Sequence, residues 1–329
     1  MRACFDNSRS RATSRALCRR ISTIITMLQK LLLFILLWTS LTGISLAQDL
    51  EPRRWSHVPI DTNYLALAYA NTQGDIFFDP VLRIENGTVS MHTLLTSYLR
   101  SFNLMGKTAR FDVRLPIQMA TWEGLLDGEP AMVEREGIGD PRLRWSVNVL
   151  GAPALKGKEY QDYRAANPTN TSVGVALAVT VPLGEYMQDK LLNLGGNRYV
   201  ISPQAGIVHT HGPWSYELTG SVLFFTDNNA FFNGNRREQE PLHVVQGHVV
   251  RTFARGIWGS VSAGYDWGGQ SRVNGEEKDD RRSDFLYALS VGMPVSKTAA
   301  IKASYVRASA RAEVGSDSDN IVIAYTRMF

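Results

Sequence analysis

The chain has 329 residues, 44% of them hydrophobic and 20% charged, which is ordinary for a folded protein and enough for one large domain or two small ones. The formal charge of +4 raises the question of nucleic acid, but residues 1–47 hold seven of the 35 Lys+Arg and one of the 31 acids. The remainder carries 28 basic and 30 acidic residues, so it has no basic field to neutralise phosphates and nucleic acid is excluded as a partner.

Both cysteines, Cys4 and Cys18, also lie in that first stretch. Disulfides and cysteine-based zinc sites are therefore excluded from the rest. Within residues 27–47, Lys30 supplies a positive flank and Leu31 to Trp38 an apolar run. Ser45-Leu46-Ala47 places small residues where a signal peptidase reads them. A signal peptide over 27–47, cleaved before Gln48, is expected. Residues 1–26 are unusual upstream of such a signal and are read as a mis-called extension, with Met27 the start. The apolar run is short for an anchor helix, and after Ala47 no run of 18 apolar residues exists, so a membrane span must come from strands.

The body, 48–329, alternates apolar and polar residues again and again. Twelve strands are predicted, over 63–72, 91–102, 108–120, 139–150, 171–181, 198–210, 213–226, 240–254, 256–268, 282–294, 298–310 and 319–329. On the third, Phe111, Val113, Leu115, Ile117 and Met119 oppose Asp112, Arg114 and Gln118. On the fifth, Val173, Val175, Leu177, Val179 and Val181 oppose Ser172, Gly174, Ala176, Ala178 and Thr180. The seventh sets Trp214, Tyr216, Leu218, Val222 and Phe224 against Ser215, Glu217, Thr219 and Ser221. The ninth sets Val261, Ala263, Tyr265 and Trp267 against Ser260, Ser262 and Asp266. On the tenth, Phe285, Tyr287, Leu289, Val291 and Met293 share one face. Each strand is near the length of about 9–11 residues that a tilted membrane strand needs. The last ends in Phe329, with Tyr325, Ile323 and Ile321 on the same parity, a pattern that resembles the signal read by barrel-assembly machinery; Arg327 departs from it.

Connections after even-numbered strands are short and those after odd-numbered strands long and polar, as in outer-membrane barrels with both termini in the periplasm. Gly151 to Asn170 breaks the rule: it is long where a short turn belongs, and is expected to form a short plug or helix unless the strand count fails there. The fold expected is all-β: one transmembrane, antiparallel up-and-down barrel of about twelve strands, in the outer membrane of a Gram-negative cell, with outer-membrane lipids as its surroundings. A soluble sandwich also alternates, but aromatics here recur toward strand ends (Tyr199, Trp214, Phe224, Phe253, Tyr265, Trp267, Phe285) as interfacial girdles do, and the small, polar faces are too poor to fill a dry core.

Catalytic chemistry is not legible. Leu194-Gly195-Gly196-Asn197 lacks the residues of a phosphate loop. Ser260 and Ser262 show no evident His and acid partners, and no nucleophile elbow is found. His209 and His211 share a face without a third ligand nearby. No enzyme, metal or cofactor is expected.

The informative polar cluster is basic. Arg110, Asp112 and Arg114 alternate on the third strand, and Arg142 and Arg144 follow Asp140 on the fourth. An Arg facing lipid at mid-depth costs about 2–4 kcal/mol, so these side chains are expected to face the lumen. They either line a path that favours anions or form a charge ladder with Asp112, Asp140 and Glu217.

Two stretches carry a resemblance. One is Gly139-Asp140-Pro141-Arg142-Leu143-Arg144, running into Asn148-Val149-Leu150-Gly151-Ala152. The other is Gly184-Glu185-Tyr186-Met187-Gln188-Asp189-Lys190-Leu191-Leu192-Asn193-Leu194-Gly195-Gly196-Asn197-Arg198-Tyr199, followed by Pro203. Together they resemble the family labelled putative MetA-pathway of phenol degradation, outer-membrane proteins described as transporters; Tyr199 stands where the family usually has Trp. The resemblance implies a barrel in gene neighbourhoods for aromatic or hydrophobic compound use, and makes Asn193, Gly195, Asn197 and Arg198 a motif loop. The function expected is passive passage of small organic molecules; the alternatives are a structural barrel without transport and a lipid-acting outer-membrane enzyme.

Overall fold

The computed structural model describes residues 50–77, 84–311 and 315–329. The expected signal peptide, its cleavage site and the upstream extension lie outside the described residues.

The strands are β1 (Thr62–Phe77), β2 (Ile84–Leu104), β3 (Lys107–Leu126), β4 (Glu129–Ile138), β5 (Arg142–Leu150), β6 (Thr169–Thr180), β7 (Val200–His211), β8 (Trp214–Phe225), β9 (Asn228–Phe231), β10 (Asn235–Gln239), β11 (Leu242–Ala254), β12 (Ile257–Gly268), β13 (Ser271–Val273), β14 (Glu276–Glu277), β15 (Arg282–Pro294), β16 (Ala299–Ala310) and β17 (Gly315–Met328). One helix, α1 (Gly157–Ala166), lies between β5 and β6. Each long strand pairs antiparallel with its neighbours, and β1 pairs with both β2 and β17, so the sheet closes. β4 and β5 share one stave against β3, giving a ring of twelve. Asn63 and Phe329 exchange backbone hydrogen bonds of 3.0 Å at the seam.

The distribution of side chains is the reverse of a water-soluble protein's. Outward positions are apolar and open: Val261 is 62% exposed and Leu289 58%. Inward positions are polar and closed: Asp266 is 0% exposed and Asp284 2%. Period-2 alternation makes this inversion possible, since one strand presents an oily face to lipid and a polar face to the lumen. Aromatics mark both ends of the outer face, with Arg251 over the rings of Trp214 and Phe253 at one end and, at the other, a row in which His243, Trp267 and Tyr265 stack and Phe285 meets Tyr265 at a tilt. Among the described residues no helix is long and apolar enough to cross a membrane.

Two connections differ from expectation and a third meets it. The stretch after the third predicted strand is no polar loop: β3 runs on to Leu126 and turns at Asp127-Gly128 into β4. Both turn residues have positive φ, 52° and 83°, the pairing of a tight hairpin. Asn228–Glu277 contributes a second, four-stranded sheet, β14-β13-β10-β9, from the connections on either side of β11 and β12. Finally, Gly151 to Asn170 contains α1, the helix alternative. The lumen is plugged instead by a segment that the sequence did not single out, residues 50–61.

Candidate functional site: a seated segment inside the lumen

Residues 50–61 precede β1 and form no strand or helix, so their backbone groups need partners from elsewhere. The barrel wall supplies them. Arg110 donates to the carbonyls of Arg54 and Ser56. Asn148 donates to Trp55 O at 2.8 Å, Tyr160 to His57 O at 2.9 Å and Ser101 to Pro59 O at 2.6 Å. Glu217 accepts the Arg53 amide at 2.7 Å. Arg53 itself sits at φ 68°, a left-handed turn that folds the segment back on itself.

Side chains complete the seat. Glu51 accepts from Arg114 at 2.7 Å and lies 3.2 Å from Arg54 and 3.6 Å from Arg144. Arg144 also donates to Asp112 at 2.8 Å. The Trp55 indole is 1% exposed and donates to Thr219 Oγ1 at 2.8 Å. At the tip, Leu50 packs on inward-facing Leu286, Ala288 and Ala308. At the base, His57 Nε2 donates to Pro153 O at 2.8 Å, and the ring meets Tyr160 and Tyr163 of α1 edge-on. Lys156, just before α1, pairs with Asp61 at 2.8 Å.

The basic residues singled out by alternation are thus brought together on the inner wall. Arg110, Asp112, Arg114 and Arg144 contact the segment or each other, and Arg142 stands opposite Arg114 in the β3–β5 register. Glu217 lies across the lumen and holds the far side of the same segment. Asp140 stands apart. It occupies the break between β4 and β5, where its carboxylate accepts the amides of Gly184 at 2.9 Å and Gly196 at 2.7 Å.

Those two amides belong to the motif loop between β6 and β7. Asn193 ties it internally, accepting from Met187 N and donating to Met187 O and Lys190 O. Gly195 donates to Glu185 O at 2.9 Å. Asn197 bonds Asn228 at 2.9 Å, and Arg198 donates to Gln239. Leu192 and Leu194 then dock on Val89, Met91, Ala120 and Trp122, an apolar patch on the inner wall. The motif therefore folds the loop over the mouth opposite Phe329 and the start of β1, the extracellular end of such barrels.

Sequence reasoning missed Glu51, Trp55 and His57. A Trp flanked by charges just before the first strand was the available signal. It also missed that His248 Nδ1 lies 2.8 Å from Ser262 Oγ across β11 and β12. That pair is enclosed inside the lumen, and His248 Nε2 meets no partner among the described residues. His209 and His211 are paired singly, with Thr171 and Thr169.

A closed ring of twelve staves with an oily exterior, a polar interior and a mouth-covering loop defines the class: an outer-membrane β-barrel. The family profile described as Putative MetA-pathway of phenol degradation matches residues 70–316, and the chain belongs to that family. In fold it is similar to the COG4313 outer membrane channel from Pseudomonas putida F1, with 20% identity and a TM-score of 0.70 over 85% of this chain and 100% of that one. The transport unit of the autotransporter AIDA-I from Escherichia coli gives 8% identity and a TM-score of 0.49, over 86% and 94%. No curated protein matches by sequence.

Proposed function

We propose that this chain is an outer-membrane channel for passive passage of small organic molecules, apolar and aromatic ones among them. The observation that carries the reading is the nature of the stopper. Residues 50–61 fill the lumen mainly through side-chain hydrogen bonds and ion pairs, with two backbone bonds at their end, Ile60 N to Leu155 O and Asp61 N to Ser101 O, and without forming a strand. A polar lumen and polar contacts let water replace these bonds when the segment leaves, whereas a barrel closed for mechanical strength has no need of a separate filler. The lumen also holds two apolar patches, around Leu286 under Leu50 and around Trp122 under Leu192 and Leu194, which suit molecules with apolar surface once those residues move aside. Membership of the family and the fold shared with an outer-membrane channel support the same reading.

Export rests on the signal over 27–47, insertion on the barrel-assembly machinery, and residence on the outer-membrane lipids that the exposed aliphatic belt fits. The function is not enzymatic: the Ser262–His248 contact is read as part of the seat's lining, so purified barrel should not hydrolyse esters. The test is single-channel recording in planar bilayers, with and without phenol. Discrete current steps that phenol interrupts are expected. A folded, inserted barrel that gives no steps and no response to phenol contradicts the proposal.

A further inference from the structure

We propose that the extracellular mouth carries a binding site for a small organic anion, whose carboxylate is held between Arg198 and Arg237; this deepens the channel reading by naming a substrate class and rests on it.

The placement follows from strand parity. On β7 the inward positions are even-numbered, Ser202, Gln204 and Val208 being buried, and Arg198 continues that parity at the rim. It donates to Gln239. On β10, Arg237 and Gln239 are two residues apart and share a face. The two guanidiniums are therefore brought to one side of the same short strand. Each also lies over an aromatic ring, Arg198 over Phe225 at 4.5 Å and Arg237 over Phe231 at 5.3 Å. Tyr186 and Asn228 form a braced floor beside them, the Tyr186 hydroxyl donating to Ala230 O and accepting from Asn228.

Counter-charge is short. A guanidinium offers five N–H donors and no acceptor, so the pair brings ten. Asp280 meets Arg237 at 3.5 Å but also accepts the Ser271 amide at 2.7 Å. Asp140 is occupied by the Gly184 and Gly196 amides. Arg198 Nη1 and Arg237 Nε find no acceptor among the described residues. Burial, with Arg237 beside it, presses the Arg198 guanidinium below its ordinary value, and the nearby Asp280 and Asp140 carboxylates offset only part of this. The Arg237 side chain keeps 30% of its surface open, so a ligand reaches it.

A carboxylate fits this deficit better than a neutral molecule. Its two oxygens match the planar N–H edges of arginine, and charge-assisted bonds are about twice as strong as neutral ones. Arginine at a rim also raises the local concentration of anions before entry.

The experiment measures binding of benzoate, with benzamide as its uncharged counterpart, to the purified full-length barrel in detergent by calorimetry. Saturable, salt-sensitive benzoate binding is expected, with no saturable benzamide binding. Arg198→Gln and Arg237→Gln should each weaken benzoate at least about tenfold, while Arg198→Lys, which keeps the charge, recovers part of the loss. Heat-modifiable migration in gels checks that each variant is folded. Absence of saturable benzoate binding to the wild type, equal binding by the folded Gln variants, or displacement of benzoate by an equal concentration of inorganic phosphate would overturn the assignment. Current steps in bilayers without benzoate binding sink the site and leave the channel standing; benzoate binding without current does the reverse.

Discussion

Gly174 and Gly206 are register partners on β6 and β7, and together they make the bay in which the Trp55 indole lies. A Cβ added at Gly174 would stand 2.2 Å from the ring and one at Gly206 2.0 Å from the indole nitrogen. A rigid ring cannot yield to that contact, so these glycines mark a close approach within strands. Gly206→Ala should expel the segment while leaving the barrel intact. Trypsin would then cut after Arg53 or Arg54, sites that the wild type protects; continued resistance would contradict the seat. His57 makes a second residue-scale prediction. Its Nε2 donates to Pro153, which leaves Nδ1 to carry any added proton, and buried Nδ1 has no partner among the described residues. Burial pushes the imidazole down; Arg110 and Arg164 add to this, against the pull of the Pro153 carbonyl. A lowered value favours the neutral ring in the seated state. The seating contribution is therefore complete above about pH 6.5 and is lost as pH falls through the lowered value. Protection of the amides of residues 53–57, taken relative to their intrinsic exchange rates, should fall on acidification, and His57→Gln should remove that fall.

At the scale of elements, a small set of charges on the third and fourth staves holds the segment 50–61, while Asp140 holds the motif loop apart from it. Glu51 gathers Arg54, Arg114 and Arg144, so removal of one partner weakens the hold on the charges that stay. Glu51→Gln and Arg114→Gln should therefore be non-additive, with a coupling of about 1–3 kcal/mol in segment release as read by trypsin accessibility. Additive effects would mean that the ion pair does not hold the segment. These elements also show what the sequence reveals and what it hides. The strands β11, β12 and β15 lie within about two residues of their predicted limits, because lipid on one face and a wet lumen on the other enforce alternation. The hairpin β3–β4 was hidden because Glu134, Arg135 and Glu136 put charge on consecutive positions and blur the period. The inward direction of Arg110, Arg114 and Arg144 was readable from the cost of charge in lipid. Their partner was not, since Glu51 is 63 residues from Arg114 and only closure of the barrel brings the two together.

For the whole molecule, pairing of β1 with β17 closes the ring and leaves a lumen whose contents decide what the protein does. That lumen is a path if the segment 50–61 leaves it, and a solid core if it does not. The most direct measurement is the bilayer current of the wild type against Trp55→Ala. The substitution deletes the indole from its glycine bay and its bond to Thr219, a loss of about 3 kcal/mol or more for a large, well-packed side chain. A shift of that size raises the released fraction by about a hundredfold. Folded Trp55→Ala barrels should show larger or more frequent current steps than the wild type. Indistinguishable currents from variant and wild type, with the segment shown by trypsin to be released, would contradict the account.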